Sequence, residues 1–124
     1  MNWLMVALGG VSGALARYGI ILLFAEVTRR HAFPWAILGV NVLGSLLAGL
    51  VFALAHERQW LTLPQQHLLS VGFLGAFTTY SAFSVDCVRL LQAGQWLLAG
   101  SYMLATTLLC FAATAAGIVL ARIL

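Results

Sequence analysis

Four consecutive hydroxyl residues, Thr78 to Ser81, stand inside an otherwise apolar stretch that is long enough to cross a membrane. In a regular helix at least one of them would face lipid, where an unpaired polar group is costly. Gly72 and Gly75 precede them and allow the backbone to leave helical geometry. The pattern predicts a helix broken at mid-membrane. Such breaks are tolerated where they are buried in protein or line a polar cavity, and this favours a role in handling ions.

Two further polar residues fall within apolar stretches, where such residues are costly and tend to be functional. Arg17 lies in the body of the first stretch, and Asn41 lies deep in the second with Ser45 one turn further on. Arg17 could line an aqueous vestibule that attracts anions, or it could extend its guanidinium to the membrane interface. Asn41 could donate a hydrogen bond to a passing anion, or it could join two helices.

Near the C-terminus, Tyr102, Thr106, Cys110 and Thr114 recur every four residues and therefore share one helical face. Any one hydroxyl could satisfy itself on its own backbone carbonyl. A whole stripe headed by a tyrosine instead favours the wall of a polar track.

An aromatic pair, Tyr80 and Phe83, follows the predicted break. This spacing usually means packing. Ring edges carry partial positive charge, however, so rings turned edge-on could line the path of a small anion. Carbonyls released by the break could in turn hold a cation, as in the unwound helices of transporters.

The composition indicates which elements must position these residues. The chain has 124 residues, of which 63% are hydrophobic and 7% are charged, whereas a soluble domain carries about 25% charged residues. Four segments reach the length of a spanning helix, over residues 3–25, 33–55, 66–92 and 96–123. We therefore predict one domain over residues 1–124, an all-α membrane protein with four transmembrane helices, the third broken at mid-membrane.

Other classes of protein are disfavoured. The six cations are scattered arginines, whereas a nucleic-acid-binding protein clusters its cations on one face. His31, His56 and His67 fall in or beside loops without metal-ligand spacing. Cys87 and Cys110 both lie in apolar segments and suggest neither a disulfide framework nor a metal site. With no nucleophile–base pair in the sequence, we do not expect an enzyme.

The arginines outside the first span show little bias between the two membrane sides. Arg58 and Arg122, with the α-amino group, flank one side, and Arg29, Arg30 and Arg89 flank the other. Since flanking arginine and lysine set orientation, this balance predicts insertion both ways and an antiparallel homodimer. The alternative is a weak bias that another feature of the chain resolves.

Small residues also recur at a spacing of four, which permits close helix approach in lipid. The pairs are Gly9 and Gly13, Ser45 and Gly49, and Ala113 and Gly117. Four helices alone would leave the polar residues described above facing lipid, and this favours oligomerisation.

Three motifs together carry a family resemblance. They are residues 9–18 (GGVSGALARY), 40–49 (VNVLGSLLAG) and 72–83 (GFLGAFTTYSAF). In order and spacing the chain closely resembles the CrcB/Fluc family of bacterial fluoride channels. Tyr80, Ala82 and Cys110 depart from the residues common in that family.

The resemblance implies an antiparallel, dual-topology homodimer in the bacterial inner membrane, with two fluoride pores and a structural sodium ion. The sodium would be held by backbone carbonyls of Gly75 and Thr78 from both subunits. Asn41 would be a pore-facing amide, and Arg17 would belong to the vestibule. The other pore-lining residues would be Tyr80, Ser81, Phe83, Tyr102 and Thr106.

We therefore expect a passive, fluoride-selective channel that exports toxic fluoride. A proton-coupled fluoride antiporter is an alternative, with Asp86 as the acid placed to carry the proton. A small dual-topology drug exporter is less favoured, because such exporters need an acid within the first span and Glu26 lies only at its end. A non-transporting assembly subunit would not need a broken third span.

Overall fold

The computed structural model describes residues 2–124, and Met1, where the predicted domain begins, lies outside the described residues. The elements in chain order are α1 (Asn2–Leu23), α2 (Ala25–Arg30), α3 (Trp35–His56), α4 (Leu63–Gln66), a π-helical segment (His67–Leu74), α5 (Gly75–Phe77), α6 (Tyr80–Gln92) and α7 (Trp96–Ile123). Four stretches are long and apolar enough to cross a membrane: α1, α3, residues 63–92 and α7. The expected all-α class with four candidate membrane spans is confirmed.

The third of these stretches begins at Leu63, three residues before the predicted start. The Thr62 N–H donates to Oε1 of Gln65 at 2.8 Å, which satisfies a donor that the first helical turn leaves free. Pro64 lies within that turn, where its missing N–H does no harm.

The long helices pack mainly as two pairs, and glycines lie where each pair approaches most closely. In the first pair, a side chain at Gly49 of α3 would clash with the Thr114 carbonyl, and one at Gly117 of α7 would clash with the Leu46 carbonyl. In the second pair, α1 packs on the π-helical segment, and a side chain at Gly9 would clash with the Leu68 carbonyl. The backbones of each pair therefore meet without intervening side chains.

Between α5 and α6 two residues have extended backbone. Thr78 has φ −77° and ψ 157°, and Thr79 has φ −151° and ψ 118°. Helix α6 begins at Tyr80, and the Thr79 Oγ1 accepts a hydrogen bond from the Ala82 N–H at 3.1 Å. Thr79 is thus the N-cap of α6, a position in which threonine is favoured.

At one end of the molecule the α3–α4 connection is tied to the end of α7. Arg58 donates to the carbonyls of Ala121, at 3.3 Å, and Arg122, at 3.0 Å, as a cation at a helix C-terminus can. Arg122 forms two hydrogen bonds to Glu57, both at 2.8 Å. These bonds hold the pKa of the Glu57 carboxyl below its usual value.

Candidate functional site

A groove of about 570 Å³ lies between α3, the third span and α7. Six of the residues predicted to act line it: Asn41, Gly75, Thr78, Tyr80, Phe83 and Thr106. They come from three separate stretches of sequence, and the groove is where these stretches face one another. Ser70, Thr107 and Phe111 also line it, although the sequence analysis did not single them out.

A second cavity, of about 450 Å³, holds two more of the predicted residues, Arg17 and Ser81, together with Asp86. Thr79 lines both this cavity and the groove. The extended segment therefore borders both cavities, with Arg17 on one side and Thr106 on the other.

Thr106 is the most unusual hydroxyl in the groove. Thr106 is 8% exposed. Among residues 2–124, its Oγ1 is the one buried side-chain nitrogen or oxygen atom that has no hydrogen-bond partner. The hydroxyl of neighbouring Thr107 donates to the Met103 carbonyl at 2.9 Å, and that of Thr114 donates to the Cys110 carbonyl at 3.0 Å. An unpaired buried hydroxyl costs about 1–3 kcal/mol. Of the three hydroxyls in the predicted stripe, those of Tyr102 and Thr114 have hydrogen-bond partners, and that of Thr106 has none among residues 2–124.

Three aromatic rings, those of Tyr80, Phe83 and Tyr102, contact one another in series. The Tyr80 and Phe83 ring centroids are 5.6 Å apart with planes inclined by 61°, an edge-to-face arrangement. The Phe83 and Tyr102 centroids are 5.0 Å apart with planes inclined by 58°. Tyr80 is 79% exposed, whereas Tyr102 is fully buried and lines neither cavity. Its hydroxyl makes a long contact of 3.5 Å with Asp86.

Asn41 and Arg17 both bond to the extended segment. The Asn41 amide donates to the Thr79 carbonyl at 3.0 Å and accepts from the Thr79 N–H at 2.8 Å. Arg17 Nη1 donates to the Thr78 carbonyl at 3.2 Å. The sequence identified both side chains as functional candidates but carried no signal for these partners, which lie far away along the chain.

The carbonyls predicted to hold a cation, those of Gly75 and Thr78, both keep unused acceptor capacity. In a continuous helix the Thr79 N–H would bond to the Gly75 carbonyl, but here it donates to Asn41 instead. Gly75 lines the groove, and its carbonyl is thereby released from its helical partner. The Thr78 carbonyl has a second lone pair beside the one that Arg17 uses. Carbonyl oxygens of this kind are the ligands that hard cations prefer.

Comparison with known proteins decides the family. The family model described as "CrcB-like protein, Camphor Resistance (CrcB)" matches residues 4–118. The chain belongs to the CrcB-like family. A relative from Saccharophagus degradans named "Fluoride-specific ion channel FluC" is 45% identical over 118 residues, covering 95% of this chain and 87% of the relative.

Other relatives carry the same name or a numbered form of it. One from Magnetococcus marinus is 45% identical over 120 residues, covering 96% of each chain. "Fluoride-specific ion channel FluC 1" from Nitrobacter hamburgensis is 41% identical and covers the whole of both chains. With its four apolar helices, this CrcB-like protein is a multi-pass membrane protein.

Proposed function

We propose that this CrcB-like protein is a passive, fluoride-selective ion channel that exports fluoride across the bacterial inner membrane. The observation that carries the proposal is the buried, unpaired hydroxyl of Thr106 in a groove beside the Tyr80 and Phe83 rings. The names of the relatives supply the anion. The chain is not proposed to be an enzyme.

Selection of fluoride requires groups that replace its tightly held water. Thr106 offers a hydroxyl donor, and Asn41 retains one amide N–H beyond the one that it gives to Thr79. The edges of the Tyr80 and Phe83 rings offer partial positive charge without strong competing hydrogen bonds. Arg17 and Ser81 line the neighbouring cavity, where the guanidinium would attract anions.

Fluoride that enters a cell as HF dissociates inside it, and a passive anion path then needs no other energy source. The membrane potential drives each charge outward with about 2.3 kcal/mol per 100 mV. Tyr102 would contribute to the polar track through its hydroxyl, next to Asp86.

The proposed assembly is an antiparallel, dual-topology homodimer with two pores. The balanced arginines support dual insertion, and the two extended residues, Thr78 and Thr79, support a third span broken at mid-membrane. Carbonyls of Gly75 and Thr78 would hold the structural sodium ion, whose charge would keep these carbonyls converged at the dimer centre.

One observation favours the proton-coupled fluoride antiporter as a second candidate. Asp86 lines the same cavity as Arg17 and Ser81, so a titratable acid borders the proposed path. The drug exporter receives no such support, because residues 2–23 of α1 contain no acid.

The test measures the fluoride flux and the reversal potential in vesicles that are reconstituted with the purified protein. Under a fluoride gradient, a channel gives the reversal potential set by that gradient, and an imposed pH gradient leaves the potential unchanged. A proton-coupled antiporter instead gives a reversal potential that follows the pH gradient. Chloride efflux is the control, and equal fluoride and chloride efflux would contradict the proposal.

A further inference from the structure

The peptide group that joins Thr78 to Thr79 is held at both of its polar ends. Its oxygen accepts a hydrogen bond from Arg17 Nη1 of α1 at 3.2 Å. Its N–H donates to Oδ1 of Asn41, on α3, at 2.8 Å. One peptide group therefore bridges two helices that approach it from different sides.

Asn41 also holds the next carbonyl, that of Thr79, through Nδ2 at 3.0 Å. Its side-chain amide thus exchanges both hydrogen bonds with the backbone of Thr79, as a residue of a neighbouring antiparallel strand would. Asn41 is 8% exposed and Thr79 is 9% exposed, so water cannot easily replace these bonds. They supply the partners that extended backbone lacks inside a helical protein.

The remaining polar groups of the segment bond locally. The N–H and the hydroxyl of Thr78 both donate to the Leu74 carbonyl, at 3.0 and 2.9 Å. Within residues 2–124, the side chains of α1 and α3 that form hydrogen bonds to the segment are those of Arg17 and Asn41. These two side chains therefore tie the segment to α1 and α3.

We propose that Arg17 and Asn41 are positioning residues. Together they form a clamp that orients the Thr78–Thr79 peptide and thereby sets the start of α6. Through α6 they place Phe83 in the groove that Thr106 also lines, a consequence for conduction that rests on the function proposed above. The charge of Arg17 faces the negative end of the peptide dipole, and Asn41 accepts from its positive end. Attraction of anions to a vestibule is a separate role of Arg17.

Amide hydrogen exchange of the full-length protein in detergent, with ¹⁵N-threonine labelling, tests the Asn41 side of the clamp. In Asn41→Ala the exchange rate of the Thr79 amide should rise by about tenfold or more, because its buried acceptor is lost. The Thr78 amide should stay slow, because it donates to Leu74. Ser45→Ala, one turn further along α3, is the matched control and should change neither rate.

Two outcomes would overturn this side of the proposal. One is a Thr79 amide that stays slow in Asn41→Ala, and the other is a general loosening in which Thr78 and Thr79 accelerate equally. Asn41→Asp is a second variant for the case in which Asn41→Ala does not fold. Its carboxylate still accepts from Thr79, so slow Thr79 exchange supports the clamp and fast exchange contradicts it.

Infrared spectroscopy with a ¹³C label in the Thr78 carbonyl tests the Arg17 side. Arg17→Met removes the donor while keeping a long side chain, and the labelled carbonyl band should move to higher frequency. Arg89→Met, at an exposed arginine of α6, is the control and should leave the band in place. An unmoved band in Arg17→Met would show that this hydrogen bond is absent.

Fluoride efflux from vesicles separates this proposal from the proposed function. If Asn41→Ala frees the Thr79 amide, and Arg17→Met as well as Asn41→Ala lowers fluoride efflux by tenfold or more, the clamp positions the path. Loss of efflux in Asn41→Ala alone would reflect only the donor that Asn41 offers to fluoride, and it would contradict the positioning role. If the amide is freed while efflux stays at the wild-type rate, the positioning role is wrong although the channel stands. If wild type conducts no fluoride but the exchange pattern holds, the channel is wrong and the clamp stands.

Discussion

At the scale of single residues, the hydroxyls of α7 differ in whether their own helix satisfies them. Thr107 and Thr114 donate to carbonyls one turn earlier, whereas the Thr106 Oγ1 has no such bond among the described residues. A helix can satisfy any of its threonines in this way. The unpaired state of Thr106 therefore marks the position at which a ligand would complete the hydrogen bonding.

Replacing Thr106 by valine should lower fluoride efflux by about tenfold or more, since one donor to the dehydrated anion is lost. The same change should leave thermal stability equal or slightly higher, because it removes an unpaired buried hydroxyl. Thr106→Ser should keep efflux. Ser101→Ala is the control on the same helix and should conduct like wild type, because the Ser101 hydroxyl donates to the Leu97 carbonyl and Ser101 lines neither cavity. Wild-type efflux in Thr106→Val would remove this residue from the path.

The aromatic pair gives a second prediction at this scale. Tyr80→Phe should keep fluoride efflux, because in the proposed path the polarised ring edge, and not the hydroxyl, would contact the anion. Phe83→Ile should cut efflux sharply, since an aliphatic side chain fills similar space without a positive edge. Chloride efflux serves as the control, and gel filtration shows whether the oligomer persists. Unchanged efflux in Phe83→Ile would mean that these rings only pack.

At the scale of helices, Gly49 and Gly117, which the spacing of small residues singled out, pack differently from two other glycines on the same helices. A side chain at Gly49 or Gly117 would clash with a carbonyl of the opposite helix of the α3–α7 pair. A side chain at Gly39 of α3 or Gly100 of α7 would meet nothing within 4 Å. The first two glycines permit close helix packing, and the other two lie on open surface.

We therefore expect Gly49→Ala and Gly117→Ala to lower the free energy of unfolding by about 1–3 kcal/mol, as overpacking does. Gly39→Ala and Gly100→Ala, on the same two helices, should be neutral or slightly stabilising, because alanine favours helix. Thermal unfolding in detergent measures the difference. Equal effects in the two groups would contradict the packing shown by α3 and α7.

At the scale of the whole molecule, the arginines that would set orientation have different environments. Arg29 and Arg30 share Glu26 in exposed ion pairs, whereas Arg58 donates to carbonyls at the end of α7. An acid such as Glu26 contributes little to orientation, even when it pairs with arginines. The balance of arginines therefore still predicts insertion both ways.

Reporters fused to the C-terminus should accordingly appear on both membrane sides in comparable amounts. Lysines at the exposed positions Asn2 and Gln59, at the same end of the bundle, should drive one orientation. Fluoride efflux should then be lost and should return when an oppositely biased copy is co-expressed. A wild-type protein found almost wholly in one orientation would contradict the antiparallel dimer.

The sequence by itself determined the number of candidate spans and the stretches that contain them. This was possible because the length of an apolar run is a local property that directly reflects the thickness of a bilayer. It also singled out Asn41, Arg17 and Thr106, since polar side chains within such runs stand out by type alone. The assignment to the family followed from the spacing of three motifs and was confirmed by the comparisons.

Only the tertiary structure decided which partners these residues have. Asn41 bonds to Thr79 and Arg17 bonds to Thr78, partners that are 38 and 61 residues away and that only helix packing brings within reach. Thr106 differs from Thr107 in its hydrogen bonding, a difference that residue type cannot reveal. The π-helical form of residues 67–74 likewise has no local signal in the sequence. Whether a helix forms hydrogen bonds from residue i to i+5 instead of i to i+4 depends on what packs against it.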